Sequence, residues 1–172
     1  MEATSQAPVR IRPAAAADFT AVLKLFSRAV RDLSAAVPLA KSSGVRGHLG
    51  RIRSWIQDPE TLVLVAENPH AQIVGVALLL VSARHAPLCC IVPEVLGSGI
   101  GRSLLSELEL FATRKGMASV ELASSITAKP FYENYGYTIA GPPEELRGIL
   151  CFPMKKELSA EARAYAQKAR AQ

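Results

Sequence analysis

The chain is poor in the residues that mark redox, metal-binding or secreted scaffolds. It has three cysteines and three histidines in 172 residues. Cys89 and Cys90 are adjacent and Cys151 stands far from them, so there is no Cys-x-x-Cys pair and the count is odd. That argues against a disulfide framework or a zinc site and leaves buried free thiols as the reading. Nucleophilic cysteine catalysis wants a histidine beside the thiol, and His48, His70 and His85 all sit in polar or loop-like stretches. Long apolar runs are also missing. The most apolar window, Ile73 to Val81, is shorter than the about 20 residues of a membrane helix. Met1 to Pro8 is polar with no apolar core, so we expect no secretion signal there, a frayed end, and a cytoplasmic location with no membrane partner. Aromatics are only 6% and the basic residues are scattered, with Arg46, Arg51 and Arg53 the one loose cluster. The net charge of +5 suits an anionic ligand, but nothing reads as an aromatic-studded basic face, so nucleic acid is not the expected partner. There is no internal repeat and no low-complexity linker. Residues 1–172 read as one domain with enough apolar residues, 49%, for a sizeable core.

What is present is a regular succession of elements. Val9 to Arg12 alternates as a short strand ended by Pro13. Asp18 opens a helix over about 17–34, whose stripe is Phe19, Val22, Leu23, Phe26, Val30 and Leu33. A loop and a second helix over about 45–57 follow, closed by Asp58-Pro59. Thr61–Glu67 and Gln72–Ser82 form a hairpin through the turn at Asn68, and Gly75 inside the second strand marks a bulge or a close approach. Arg84 to Pro87 reads as a turn, then Leu88–Val92 as a strand and 99–115 as a helix capped by Gly116. Met117–Ser125 is a strand parallel to Leu88–Val92, 127–135 a short helix, and Tyr137–Ala140 a strand. Residues 141–147 read as a loop, Gly148–Lys155 as a last strand made irregular or peripheral by Pro153, and 159–172 as a helical tail. The fold class is therefore α/β (α+β). The expected fold is three-layered, with a mostly antiparallel sheet of six to seven strands, one parallel crossover and about four helices.

The most informative stretch is the one where Leu88–Val92 stops at Pro93 and a glycine turn, Gly97-Ser98-Gly99-Ile100-Gly101, opens the next helix. Such a turn aims successive backbone N–H groups at one spot, with the positive end of the helix behind them, which suits phosphate. The same composition also makes a plain tight turn. A dinucleotide fold would place the turn after the first strand and an acidic residue at a strand end about 20 residues later. Glu121 lies at that distance but inside a strand, and repeated strand–helix–strand units are missing.

Taken together, the corner Ile91-Val92-Pro93, the turn Gly97 to Arg102 and the later run Ser125-Ile126-Thr127-Ala128-Lys129-Pro130-Phe131-Tyr132-Glu133-Asn134-Tyr135-Gly136-Tyr137 resemble the GNAT superfamily of acetyl-CoA-dependent N-acetyltransferases, in its small bacterial-type members. The likeness covers about residues 9–156, and the start RIRPAAAADF and the end PMKKEL share it. It implies transfer of an acetyl group from acetyl-CoA to a primary amine of a small molecule or peptide, with no metal. It gives Gly97, Ser98, Gly99, Ile100, Gly101 and Arg102 the CoA pyrophosphate. Cys89, Cys90 and Ile91 would run beside the pantetheine arm through their main chain. Ser125 would contact the cofactor, cap the next helix, or both. Tyr132 would contact the cofactor and protonate the CoA thiolate as general acid. Leu96 departs from the pattern, which has Gln or Arg there; the backbone amides do not depend on it, and either weaker contact near the pyrophosphate or compensation by Arg102 is expected. No carboxylate occurs in Leu88–Val92, so Glu121 on the neighbouring strand is the candidate base beside a water relay or an amine that arrives neutral. Glu94, after Pro93, reads as exposed. Trp55, His48 and Arg51 are candidate walls of the acceptor site, with a packed core residue the preferred reading for Trp55. A non-catalytic acyl-CoA-binding regulator is the alternative, and a homodimer is the assembly left open.

Overall fold

The computed structural model describes residues 9–36, 51–146 and 149–159. The expected start of the second helix at 45–50, His48, Arg46 and the tail beyond Ser159 lie outside the described residues.

The chain runs β1 (Arg10–Pro13), a 3-10 turn (Ala16–Asp18), α1 (Phe19–Ala36), α2 (Ile52–Gln57), β2 (Thr61–Glu67), β3 (Ile73–Leu80) and β4 (His85–Ile91). It continues through a second 3-10 turn (Pro93–Val95), α3 (Ile100–Arg114), β5 (Ser119–Ser125), α4 (Lys129–Asn134), β6 (Thr138–Ile139), β7 (Glu144–Leu146) and β8 (Ile149–Glu157). One sheet holds all eight strands in the order β1-β2-β3-β4-β5-β8-β6, with β7 also on β8. Every pairing is antiparallel except β4 with β5.

Three layers follow from the strand alternation. On β2 and β3, Val63, Val65, Val76 and Leu78 face Val22, Leu25 and Phe26 of α1. Leu64, Ala66, Ala77 and Leu79 face Leu104, Leu105 and Leu108 of α3 on the other side. Both faces of the central strands are buried, which explains their unbroken apolar runs. Arg12 ties the first elements together. It donates to Asp18 at 2.6 and 3.0 Å and to Glu67 at 2.5 and 3.0 Å, fixing the entry to α1 against β2.

The sequence expectations need three corrections. The sheet has eight strands, because Glu144–Leu146, read as loop, pairs with β8. That segment is short, charged and carries no alternation; its antiparallel pairing with β8 defines it. The strand expected at Leu88 begins at His85, and the turn before it is Val81–Arg84, where Arg84 takes φ +53°. Pro153 lies in an interior strand: β8 is paired on both edges, and its Pro153 carbonyl accepts from Ala140 at 2.8 Å. The missing N–H falls on the side between β6 and β7, while the register against β5 runs unbroken through Pro153, so the strand is neither an edge nor irregular there.

Gly75 answers its expectation twice. A bulge adjoins it, since Ala66 pairs with Gly75 and Glu67 with Ile73. A Cβ there would lie 2.9 Å from both Ile91 and Leu104. This bare position lets α3 settle against the end of β4. Gly75→Ala should destabilise the protein by about 1–3 kcal/mol through overpacking, read as a lower urea midpoint at unchanged slope.

Candidate functional site

β4 and β5 form the parallel pair, and a single rung, His85 opposite Glu121, joins them. The Glu121 amide donates to the Arg84 carbonyl at 3.0 Å. Beyond that rung they part. β4 spends three steps between Leu88 and His85 where β3 spends two between Leu78 and Leu80, a bulge. Pro87 falls inside it and has no N–H to give a neighbour. The parallel ladder stops there, and the strands open toward their carboxyl ends as a wedge. Along β5 the arm from Glu121 to Ser125 is about 13 Å at ~3.3 Å per residue.

Alternation fixes what lines the wedge. The Val92 amide donates to Val74 of β3 at 2.9 Å, so Cys90 also turns its backbone to β3, while the backbones of Cys89 and Ile91 face the opening. On β5, Glu121 faces β4, and the backbones of Ala123 and Ser125 follow. The side chains divide by face: Cys89 and Ile91 lie toward α3, and Cys90 toward α1.

The glycine turn stands at the open end. Gly97 and Gly99 take φ +78° and +85°, a conformation only glycine adopts without strain. Nothing lies within 4 Å of a Cβ at either, so conformation and not space demands glycine there. Gly101 is helical, and a Cβ there would touch the Phe131 ring at 3.5 Å. Ser98 closes the turn through its amide and hydroxyl, both donating to the Val95 carbonyl. Ile100 is buried, and the Ser103 amide makes the first helical bond, to Gly99. The amides of Gly97, Gly99, Ile100, Gly101 and Arg102 have no backbone acceptor, as expected of a helix start. Together they form a cradle of donors at the positive end of α3. Leu96, at the lip, is 68% exposed. The Arg102 guanidinium stands over the Tyr135 ring, 5.8 Å from its centre.

Tyr132 closes the α3 side of the wedge. It is 7% exposed and sits edge-on to Phe131 at 5.1 Å and to Tyr137 at 5.7 Å. The Cys89 thiol is its neighbour, coupled to it electrostatically and as a hydrogen-bond partner. Burial first, then Cys89 and Cys90, raise the Tyr132 pKa well above that of an ordinary phenol. Burial pushes Cys89 up to about 12, and Cys90 is pushed up as well. Both thiols stay protonated at neutral pH. Ser125, at the end of β5, accepts from the Ala128 amide at 3.3 Å and so closes the turn before α4; Ala128 holds the N-cap position, and the helix has no side-chain cap from Ser125.

The structure thus brings Cys89, Ile91, the glycine turn, Ser125 and Tyr132 around one opening. Glu121 does not join Tyr132. Its strand neighbours Val120 and Leu122 are in the α3-side core, so its exposed side chain lies on the α1 face, between His85 of β4 and Lys155 of β8. Glu94 is exposed and paired with Arg28 at 2.7 Å, which lowers its pKa. Trp55 is half-buried against the α1-side core and Arg51 is exposed. Their helix packs chiefly on β2 and α1, away from the wedge. Sequence reasoning missed His85, which it left in a loop. The pairing of Cys89 with Tyr132 had no local signal, because it joins residues 43 apart. Among the described residues no helix is long and apolar enough to cross a membrane.

A model of the acetyltransferase (GNAT) domain matches residues 49–158. An uncharacterised acetyltransferase of Streptococcus pyogenes serotype M3 is 34% identical over 62 residues, 36% of this chain and 44% of its own length. One from serotype M1 gives the same identity and coverage. The match therefore spans under half the length of these curated relatives. Among solved structures, the PaiA N-acetyltransferase of Thermoplasma acidophilum with coenzyme A superposes with TM-score 0.70 at 19% identity, over 88% of this chain and 99% of that one. Spermidine N-acetyltransferase of Vibrio cholerae with CoA and spermine gives 0.65 at 18% identity, over 87% and 95%.

The protonated, buried thiols make a chemical prediction. At pH 7 Cys89 and Cys90 should alkylate with iodoacetamide at least about tenfold more slowly in the native protein than in urea, since only the thiolate reacts. Peptide mass spectrometry reads the extent at each site, and rapid native labelling of Cys89 would contradict the assignment.

Proposed function

This chain belongs to the GNAT acetyltransferase family, and on that premise we propose that it transfers the acetyl group of acetyl-CoA to a primary amine of a small molecule or peptide. The observation that carries this reading is the one-rung wedge, with unpartnered amides at its mouth and the Tyr132 hydroxyl in its wall.

The residues present fit an acyl-CoA. The amides of Gly97, Gly99, Ile100, Gly101 and Arg102 hold the pyrophosphate, and with Leu96 unable to donate, Arg102 supplies the side-chain charge. The backbones of Cys89 and Ile91 on one arm, and of Ala123 and Ser125 on the other, offer a pantetheine arm the hydrogen bonds that a neighbouring strand would have taken. Bound acetyl-CoA supplies an activated acyl carbon and a sulfur leaving group. An amide of the β4 arm faces the thioester carbonyl and stabilises its developing negative charge. Tyr132 keeps its proton on the wedge wall and presents it to the departing sulfur. The acceptor enters from the α1 face, where the Glu121 side chain of β5 is exposed.

Thiol release from acetyl-CoA over a panel of amines tests this. Activity should appear with at least one amine. Tyr132→Phe should lower kcat by about 10²-fold or more, the usual range for a positioned acid, with the Kd for CoA changed by less than about twofold. Because the Tyr132 pKa is raised, its proton is retained as pH rises, and kcat should show no descending limb below about pH 10. Silence across the panel, with CoA bound equally by the native protein and by Tyr132→Phe, would instead mark a non-catalytic acyl-CoA-binding regulator.

A further inference from the structure

The proton that leaves the acceptor nitrogen needs a destination, and β4 has no carboxylate to offer. The structure places one pair of groups at the closed end of the wedge. His85 opens β4 and lies in register with Glu121 of β5, at the rung where the two strands still meet. Its β3 partner Leu80 belongs to the α1-side core, and the next residue, Ala86, belongs to the α3-side core. The imidazole is therefore on the α1 face, the face Glu121 occupies. Tyr132 meets the wedge from the other face. Tyr132 and this pair therefore stand on opposite faces of the sheet, a proton donor on one and the pair on the other.

Resting on the acetyltransferase reading, we propose that His85 accepts the proton of the acceptor amine, directly or through one water, and that Glu121 orients the imidazole and stabilises its charged form. Glu121 is then a positioning residue and not itself the base. The step balances without a further reactant. The nitrogen lone pair forms the C–N bond, the C–S bond breaks, the nitrogen proton passes to an imidazole nitrogen, and the Tyr132 proton goes to the sulfur. His85 is half-buried; its imidazolium gives a proton to solvent and the Tyr132 phenolate takes one up from solvent, which restores both groups.

The surroundings support a neutral, receptive imidazole. Burial lowers the His85 pKa and Glu121 opposes that shift. Four other charged groups lie on the neighbouring elements. Lys155 of β8, opposite Glu121, is paired with Glu157 at 2.7 Å and also interacts electrostatically with Glu121. Arg28 of α1 is paired with Glu94 at 2.7 Å. Arg84 adjoins His85 on the turn and Lys24 of α1 is exposed. The β3 neighbour, Leu80, is apolar.

The test is kcat against pH with the best amine of the panel, alongside calorimetric CoA binding for each variant. Native protein should show an ascending limb below pH 6.5. His85→Gln should lower kcat by about 10²-fold and abolish the limb, with CoA affinity unchanged. Glu121→Gln removes the charge that favours imidazolium, so its limb should move to lower pH, a shift that reads the pair independently of how well His85→Gln folds. The double variant should be no slower than His85→Gln alone. An active native protein whose kcat and limb survive both substitutions overturns this proposal and leaves the transferase reading standing. A native protein silent on every amine sinks both.

Discussion

The structure depends on one interruption in a hydrogen-bond ladder. Two parallel strands at the centre of a sheet ordinarily satisfy each other along their whole length, because buried backbone groups left unpaired are costly. Here β4 and β5 share one rung and no more. The cause is local and covalent: a bulge adds a residue to β4, and Pro87 within it has no proton to give. The unpaired edges that result are a liability in an empty sheet and a binding surface for any extended ligand with its own amides.

The parts around that interruption are held by packing on both sides. Leu104, Leu105 and Leu108 are each fully buried and press α3 onto β2, β3 and β4. Gly75 lets the helix come in close. This aims the donors at its first turn across the wedge mouth. On the far arm, Ser125 ends β5 and holds the start of α4. Tyr132 follows four residues after Ala128 and lands edge-on against Tyr137. An aromatic held on two sides by other aromatics has little rotamer freedom, and so its hydroxyl is delivered to one place.

Much of this was legible in the sequence, and the part that was not has a physical reason. Helical and strand periodicities located α1, α3, β2, β3 and β5 because those elements bury long, regular apolar faces. The glycine turn was visible because positive φ at Gly97 and Gly99 leaves little choice of residue. The run from Ser125 to Tyr137 read through its resemblance to a family. β7 was invisible because a three-residue segment with two charges carries no pattern and takes its place from pairing with β8. The start of β4 was misread for an instructive reason: Pro87 normally signals a turn, and here it signals a broken pairing inside a strand. That misreading put His85 in a loop and hid its register with Glu121. Contacts between distant segments, such as Cys89 with Tyr132, follow from topology, which no local pattern encodes.

The single rung also has a mechanical side. Strands β1 to β4 are laced by antiparallel pairing, and β5 to β8 likewise. The sheet is therefore two stiff plates that meet at His85 and Glu121. Within either plate, bending must break several hydrogen bonds at once. Between them, a change of angle disturbs one rung and the side chains of α3 that lean on both. The one rung that joins the two halves is also the closed end of the cleft, so whatever fills the cleft bridges strands that otherwise meet only there.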